Sequence, residues 1–288
     1  MHDRIIAFRY LAALVAASAL LLLLPSWSVG QAHQPLKPIR IVLVGDSTVT
    51  DEAGWGAGFK QLVTEQAEVI NQAASGRSSK SYIDEGRWTE ALAKRGNYYL
   101  IQFGHNDEPG KGPERETDPK TTFRTYMSRY VDEAWAIGAK PILVTSLVRR
   151  IYSEDGTITT RQTPYVEAVR ALARAKRVPL VDLHAISKED AEQTGDDVWA
   201  DLSPRDDKGQ VDRTHLNAKG SDVVARLIVD ALREVAPELL PYLRTSGFRL
   251  QAEASVGVLR PKPEAMRSNL LLVYCCDASE KMQYAVNQ

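Results

Sequence analysis

Four short segments carry polar side chains of the types that acyl transfer needs. Gly45-Asp46-Ser47-Thr48 follows directly on an apolar run. A serine there exposes a hydroxyl that a neighbouring base can turn into a nucleophile. Ser47 or Asp46 also suits the first turn of a helix, where a short polar side chain satisfies free N–H groups. Val49 occupies the place of the second glycine in a Gly-x-Ser-x-Gly elbow, so that motif is absent. The stretch Asn71 to Ser79 contains Gly76, which can bring a bare backbone N–H close to a ligand or simply make a turn. Gly104-His105-Asn106-Asp107 offers the Asn106 amide as a donor to a developing oxyanion, or an Asx-turn. In Asp212-Arg213-Thr214-His215 the carboxylate can hold the imidazole Nδ1–H and leave Nε2 free as a base. The other reading of that pair is an acidic cap beside a surface histidine.

These segments become a site only if the elements between them bring them together. Ile39 to Val44, Tyr98 to Phe103, Pro141 to Thr145 and Pro179 to Leu183 read as buried strands, with a short one at Val69-Ile70. Helical signals lie over 57–68, over Phe123 to Ala134 with Gly138 closing that helix, over Val166 to Leu172, and over Val223 to Val235. Strand and helix alternating throughout predict a parallel sheet covered on both faces. In such sheets ligands bind beyond the carboxyl ends of the strands, which is where the polar segments fall.

Composition narrows the function classes. The chain has 288 residues, 36 Lys+Arg against 37 Asp+Glu, and a net charge of −1, which excludes the basic footprint of a nucleic-acid binder. The only cysteines are Cys275 and Cys276, so no disulfide or Cys/His metal spacing exists upstream of them. His105 and His184 lack partners at ligand spacing. No metal or other cofactor is expected. Arg4 and Arg9, the uncharged run Leu11 to Leu24, and Gly30-Gln31-Ala32 have the layout of a secretory signal peptide over residues 1–32. The alternative is a membrane anchor, although the run is short of the roughly 20 apolar residues a span needs. A secreted or periplasmic monomer, free of the membrane after cleavage, is the expectation. Residues 246–288 follow no pattern and read as an irregular extension of a catalytic domain at 36–245.

Taken together, Gly45-Asp46-Ser47, Gly76, Gly104-His105-Asn106-Asp107 and Asp212-x-x-His215 resemble the four blocks of the SGNH (GDSL) hydrolases. Gly54-Trp55-Gly56, Gly76 to Ser81, Glu85-Gly86-Arg87-Trp88 and Phe103 to Asp107 resemble its rhamnogalacturonan acetylesterase group, carbohydrate esterase family 12. The similarity spans about residues 38–240. It implies a three-layer α/β/α sandwich with a five-stranded parallel sheet, of flavodoxin-like type. It implies Ser47 as nucleophile, His215 as base and Asp212 as its orienter, with the Ser47 and Gly76 N–H groups and the Asn106 amide as oxyanion hole. It implies a serine esterase that removes O-acetyl groups from a pectic polysaccharide. Xylan or peptidoglycan deacetylation, lipase or thioesterase activity, and non-catalytic carbohydrate binding are the alternatives. Fungal members carry disulfides that this body lacks, and the tail after Thr245 has no counterpart. Trp55 and Trp88, in segments near the proposed site, suit either stacking on sugar faces or a place in the core. Arg77, with Lys80, Arg87, Lys111, Arg149, Arg150, Arg205 and Arg213, offers donors to the carboxylates of an acidic substrate, the other reading for most of them being an ordinary solvated surface.

Overall fold

The computed structural model describes residues 36–244. The expected signal peptide and C-terminal extension lie outside the described residues. Strand β1 (Ile39–Gly45) pairs in parallel with β2 (Ala67–Asn71) on one side and β3 (Tyr98–Gln102) on the other. Beyond β3 come β4 (Lys140–Val144) and β5 (Leu180–Val181), all parallel, giving the order β2-β1-β3-β4-β5. The chain therefore leaves β1 towards one edge and returns to build the other. The reversal opens a crevice between β1 and β3 at their carboxyl ends.

Successive strand residues point to opposite faces, and β1 divides its side chains accordingly. Ile41 and Leu43 pack against helices α1 (Gly56–Gln61), α6 (Leu183–Thr194), α7 (Asp196–Asp201) and α8 (Ala218–Val235) through Phe59, Ala191, Trp199, Val224, Ile228 and Leu232. Val42 and Val44 face α2 (Ser79–Asp84), α3 (Arg87–Ala93), α4 (Thr122–Ala136) and α5 (Thr163–Lys176), through residues such as Tyr82, Trp88, Met127, Tyr130 and Val169. This is the expected three-layer sandwich, with one hydrophobic core on each side of the sheet. Among the described residues no helix is long and apolar enough to cross a membrane.

Several elements differ in extent from the periodicity reading, and each has a local cause. The helix expected over 57–68 stops at Gln61 because the next residues pair with the end of the described chain. Thr64 N–H donates to the Tyr242 carbonyl at 2.8 Å, and Arg244 N–H donates to that of Leu62 at 2.8 Å. Strand β5 is only two residues long because the Asp182 side chain accepts from Ala185 N–H and starts α6. Helix α2, not foreseen, begins with a reciprocal capping box between Ser78 and Ser81.

The turn that follows β1 is compressed against the entry to α1. Trp55 N–H donates to the Thr48 carbonyl at 3.1 Å, and a Cβ on Gly54 would lie 2.2 Å from the Thr48 carbonyl carbon and oxygen. The obstacle is backbone, so a Gly54→Ala chain must move the turn that carries Ser47. We expect this substitution to cost about 1–3 kcal/mol, as overpacking typically does, and to depress activity as well. Gly76→Ala meets nothing within 4 Å and suffers only its φ of +76°, a strain of roughly 1–2 kcal/mol that leaves its surroundings in place. Urea midpoints for the two variants, read alongside their activity, check the contrast.

Candidate active site

Ser47 stands in the turn between β1 and α1, mostly buried. What fixes it is a line of buried polar groups beneath it. The Trp55 indole N–H donates to Gln102 Oε1 at 3.0 Å, and Gln102 Nε2 donates to Thr48 Oγ1 at 2.6 Å. Thr48 in turn donates its hydroxyl to Asp46 Oδ1 at 2.7 Å and its N–H to the same oxygen at 2.9 Å. Asp46 Oδ2 faces His105 Nδ1 at 3.5 Å, longer than a good hydrogen bond. Burial alone would raise the Asp46 carboxyl, but His105 and the Thr48 hydrogen bonds outweigh it and hold the group below the usual carboxylate range. On the other side of Ser47, its carbonyl accepts from Thr50 Oγ1 at 2.9 Å.

His215 arrives from the segment before α8. Its Nε2 lies 2.8 Å from Ser47 Oγ, and its Nδ1 lies 2.7 Å from Asp212 Oδ2. Asp212 Oδ1 accepts the N–H groups of Thr214 at 2.7 Å and His215 at 3.0 Å, so the carboxylate holds both its partner's ring and the turn between them. Burial pushes the Asp212 carboxyl up, yet these hydrogen bonds from His215 and Thr214 win and keep it ionised below its ordinary range. Helix α8 starts immediately afterwards, where Asn217 Oδ1 accepts from Gly220 N–H at 3.0 Å. The cap thus anchors the histidine segment to a long helix whose apolar stripe lies in the core.

Asn106 comes from the loop after β3. Its amide donates to the Arg77 carbonyl at 3.2 Å, which ties that loop to Gly76-Arg77. An amide has two hydrogens, so one remains for a ligand. Neither the Ser47 nor the Gly76 N–H has an acceptor among the described residues. The loop is held from behind by buried Asp107, whose carboxylate accepts from Ser79 Oγ at 2.5 Å and Thr117 Oγ1 at 3.0 Å. Burial pushes the Asp107 carboxyl up to about 7 against those hydrogen bonds.

The structure thus brings Ser47, His215 and Asp212 into one hydrogen-bonded line and anchors Asn106 to the Gly76-Arg77 segment. It overturns the sugar-stacking role for both tryptophans. Trp55 is 0% exposed and bound to Gln102, and Trp88 is 1% exposed, with its indole N–H on Glu133 and its ring against Tyr99 and Tyr130. Neither can stack on a sugar. The basic set is also depleted. Arg150 is buried, Arg77 and Arg87 share Glu85, Lys80 donates to the Pro113 carbonyl, Arg205 donates to the Gly209 carbonyl, and Arg213 pairs with Asp196. What remains is a cleft of about 710 Å³ whose lining includes Lys111, Arg149, Ile151 and Arg161, with Glu108 paired to Arg149 at 2.8 Å. Arg161 was not foreseen, since it lies well away from any strand end in sequence. Among the described residues no cluster of His, Cys, Asp and Glu is suited to hold a metal ion.

Known proteins resemble this chain in sequence and fold. The model of the GDSL-like lipase/acylhydrolase family matches residues 43–223. The rhamnogalacturonan acetylesterase RhgT of Bacillus subtilis is 38% identical over 72% of this chain and 95% of its own length. A rhamnogalacturonan acetylesterase of Emericella nidulans is 32% identical over 67% of this chain and 84% of its own. Among solved structures, the protein YxiM of Bacillus subtilis superposes with a TM-score of 0.59 at 26% identity, over 69% of this chain and 57% of that one. With its sheet order, its blocks and these relatives in agreement, the chain belongs to the GDSL-like lipase/acylhydrolase family and is a carboxylic ester hydrolase.

Proposed function

We propose that the protein is an exported serine acetylesterase that removes O-acetyl groups from a pectic, rhamnogalacturonan-like polysaccharide. The observation that carries the catalytic part is the line from Asp212 through His215 to Ser47 Oγ, at 2.7 and 2.8 Å, and the Ser47 and Gly76 N–H groups have no acceptor among the described residues. The relatives named as rhamnogalacturonan acetylesterases support the substrate, and the layout of residues 1–32 supports export. Ser47 Oγ attacks the acetyl carbonyl carbon while His215 Nε2 takes the hydroxyl proton. The resulting oxyanion is received by the Ser47 and Gly76 N–H groups and the Asn106 amide. The tetrahedral species collapses, His215 returns the proton to the sugar oxygen, and an acetylated Ser47 remains. A water deprotonated by His215 then releases acetate. Every step is served by these side chains and backbone donors, with no metal or cofactor.

Acetate release from acetylated rhamnogalacturonan tests this reading directly. Ser47→Ala should lower kcat by on the order of 10⁴-fold or more while circular dichroism and thermal midpoint stay close to wild type. A variant that kept even a few per cent of wild-type turnover would end the covalent mechanism. Export is tested by N-terminal sequencing of the protein recovered outside the cytoplasm, which should begin after Ala32.

The pH dependence follows from the same groups. The base must be neutral to take a proton, so kcat/KM should rise with pH. Asp212 is held below the usual carboxylate range by its hydrogen bonds and adds no step near neutrality. Asp107, behind the Asn106 loop, is pushed up to about 7 by burial, so its ionisation falls on the same limb and log kcat/KM should climb with a slope between one and two. Asp212→Asn permits the wrong imidazole tautomer and should cost roughly 10³–10⁴-fold in kcat.

The cleft lined by Lys111, Arg149 and Arg161 supports an acidic polymer. Lys111 and Arg161 have no acidic partner among the described residues, and Arg149 is shared with Glu108. Deacetylation of acidic rhamnogalacturonan should therefore be faster than that of neutral acetylated xylan. The difference should narrow as salt rises, because exposed charges are screened beyond about 8 Å at physiological ionic strength. Equal kcat/KM on the two polymers at low salt would remove the acidic-substrate part and leave the esterase chemistry standing.

A further inference from the structure

Arg150 lies in the segment after β4, outside the line that joins Asp212 to Ser47, and is 1% exposed. Its Nη2 is within hydrogen-bond distance of three oxygens: Ser203 Oγ at 2.9 Å, the Asp212 carbonyl at 3.1 Å and the His215 carbonyl at 2.8 Å. Its backbone N–H donates to the Arg213 carbonyl at 3.0 Å. The guanidinium lies over the Trp199 ring, 5.2 Å from its centroid, and Nη1 has no acceptor among the described residues. Burial lowers the Arg150 pKa to about 10, so the group still carries its charge at neutral pH.

The turn from Asp212 to His215 is therefore gripped from two sides. Its N–H groups, at Thr214 and His215, go to the Asp212 carboxylate. Its carbonyls, at Asp212, Arg213 and His215, go to Arg150. A buried guanidinium with an idle N–H is an expensive way to fill space, and an apolar residue of similar size is often as stable or better. What an apolar residue cannot do is hold two carbonyl oxygens at fixed positions. Those carbonyls belong to the two residues whose side chains meet at 2.7 Å.

We propose that Arg150 is a positioning residue for proton transfer, setting the turn so that His215 Nε2 meets Ser47 Oγ, and that it takes no part in binding the substrate. This rests on the esterase reading given above. It assigns to Arg150 a place behind the reacting atoms, in contrast to the substrate-facing role its position after a strand suggested. All three contacts are made by Nη2, so reach matters more than the paired fork, and a Lys ammonium ends one atom nearer the backbone than these acceptors require.

The test uses the whole chain with 4-nitrophenyl acetate, whose small size keeps polymer contacts out of the measurement. Arg150→Met should lower kcat roughly 100-fold, the loss expected when a catalytic group is misplaced by about 1 Å, with KM little changed. Arg150→Lys should fall between Met and wild type. The decisive comparison repeats both substitutions in an Asp212→Asn background. If Arg150 acts through the Asp212–His215 pair, it should cost far less there than in the wild-type chain. Wild-type kcat in Arg150→Met, a raised KM with kcat intact, or losses that multiply independently of Asp212→Asn would each overturn the proposal. Should the Met variant fail to fold at the assay temperature, the Lys variant and its double mutant carry the same comparison. An active Ser47→Ala would defeat the esterase reading itself, whereas an inert Ser47→Ala beside a fully active Arg150→Met defeats only this assignment.

Discussion

The contact on which the rest depends is the 2.8 Å approach of His215 Nε2 to Ser47 Oγ, between side chains 168 positions apart in the chain. Neither residue can find the other by local structure. Ser47 is delivered by β1, which lies inside the sheet with β2 and β3 on either side. His215 is delivered by the start of α8, whose Val224, Ile228 and Leu232 seat it on the same sheet face as Ile41 and Leu43. The two therefore meet because one hydrophobic face holds both the strand that ends in Ser47 and the helix that follows His215. A change in the packing of α8 moves the base relative to the nucleophile before it moves anything else in the site.

The site carries several buried polar groups, and the fold meets most of their cost in a specific way, although Asp46 Oδ2 and Arg150 Nη1 have no hydrogen bond among the described residues. Asp46 is met by Thr48 and His105, Asp107 by Ser79 and Thr117, and Arg150 by Ser203 and two carbonyls. Removing one partner of such a group is typically worse than never having built it, by about 3–5 kcal/mol for a buried ion pair, because the remaining charge is left uncompensated. These contacts join loops that follow different strands. Asp107 links the loops after β2 and β3, and Arg150 links the segment after β4 to the turn before α8. The rim of the sheet is in this sense one polar structure laid over two apolar ones, and it is rigid where the chemistry needs it.

Much of this was readable from the residues alone, and the exceptions share a cause. Strands β1 and β3 and helices α4 and α8 stood out because their apolar residues recur at the period of the element that buries them. Ser47, Asn106, Asp212 and His215 each had an ordinary reading as a cap or turn, and stood out because their segments fall together at strand ends and before a helix, in the order of one family's blocks. Trp55 and Trp88 misled because an indole beside polar segments looks like a sugar platform. Their acceptors, Gln102 and Glu133, are 47 and 45 residues away and invisible to any local reading. Arg150 misled for a related reason. Its acceptors include main-chain carbonyls, which every residue has, so no pattern of side-chain types marks it. Elements cut short by caps, such as β5, are likewise decided by one hydrogen bond rather than by a period.

Tyr242 donates its hydroxyl to the Lys37 carbonyl at 2.8 Å, which joins the two limits of the described chain. Both lie at the amino end of β1, and Ser47 lies beyond its carboxyl end, roughly 23 Å away for a strand of seven residues rising about 3.3 Å each. These two positions and the reactive rim are thus on opposite poles of the sheet. A module, a solid support or a carrier joined directly at position 36 or 244 would be held behind the catalytic face. A polymer too large to enter any pocket could then lie across the exposed pole without meeting that tether. In a chain cut to residues 36–244, closing these adjacent positions with a short loop and reopening it elsewhere on the amino pole would leave that geometry as it is.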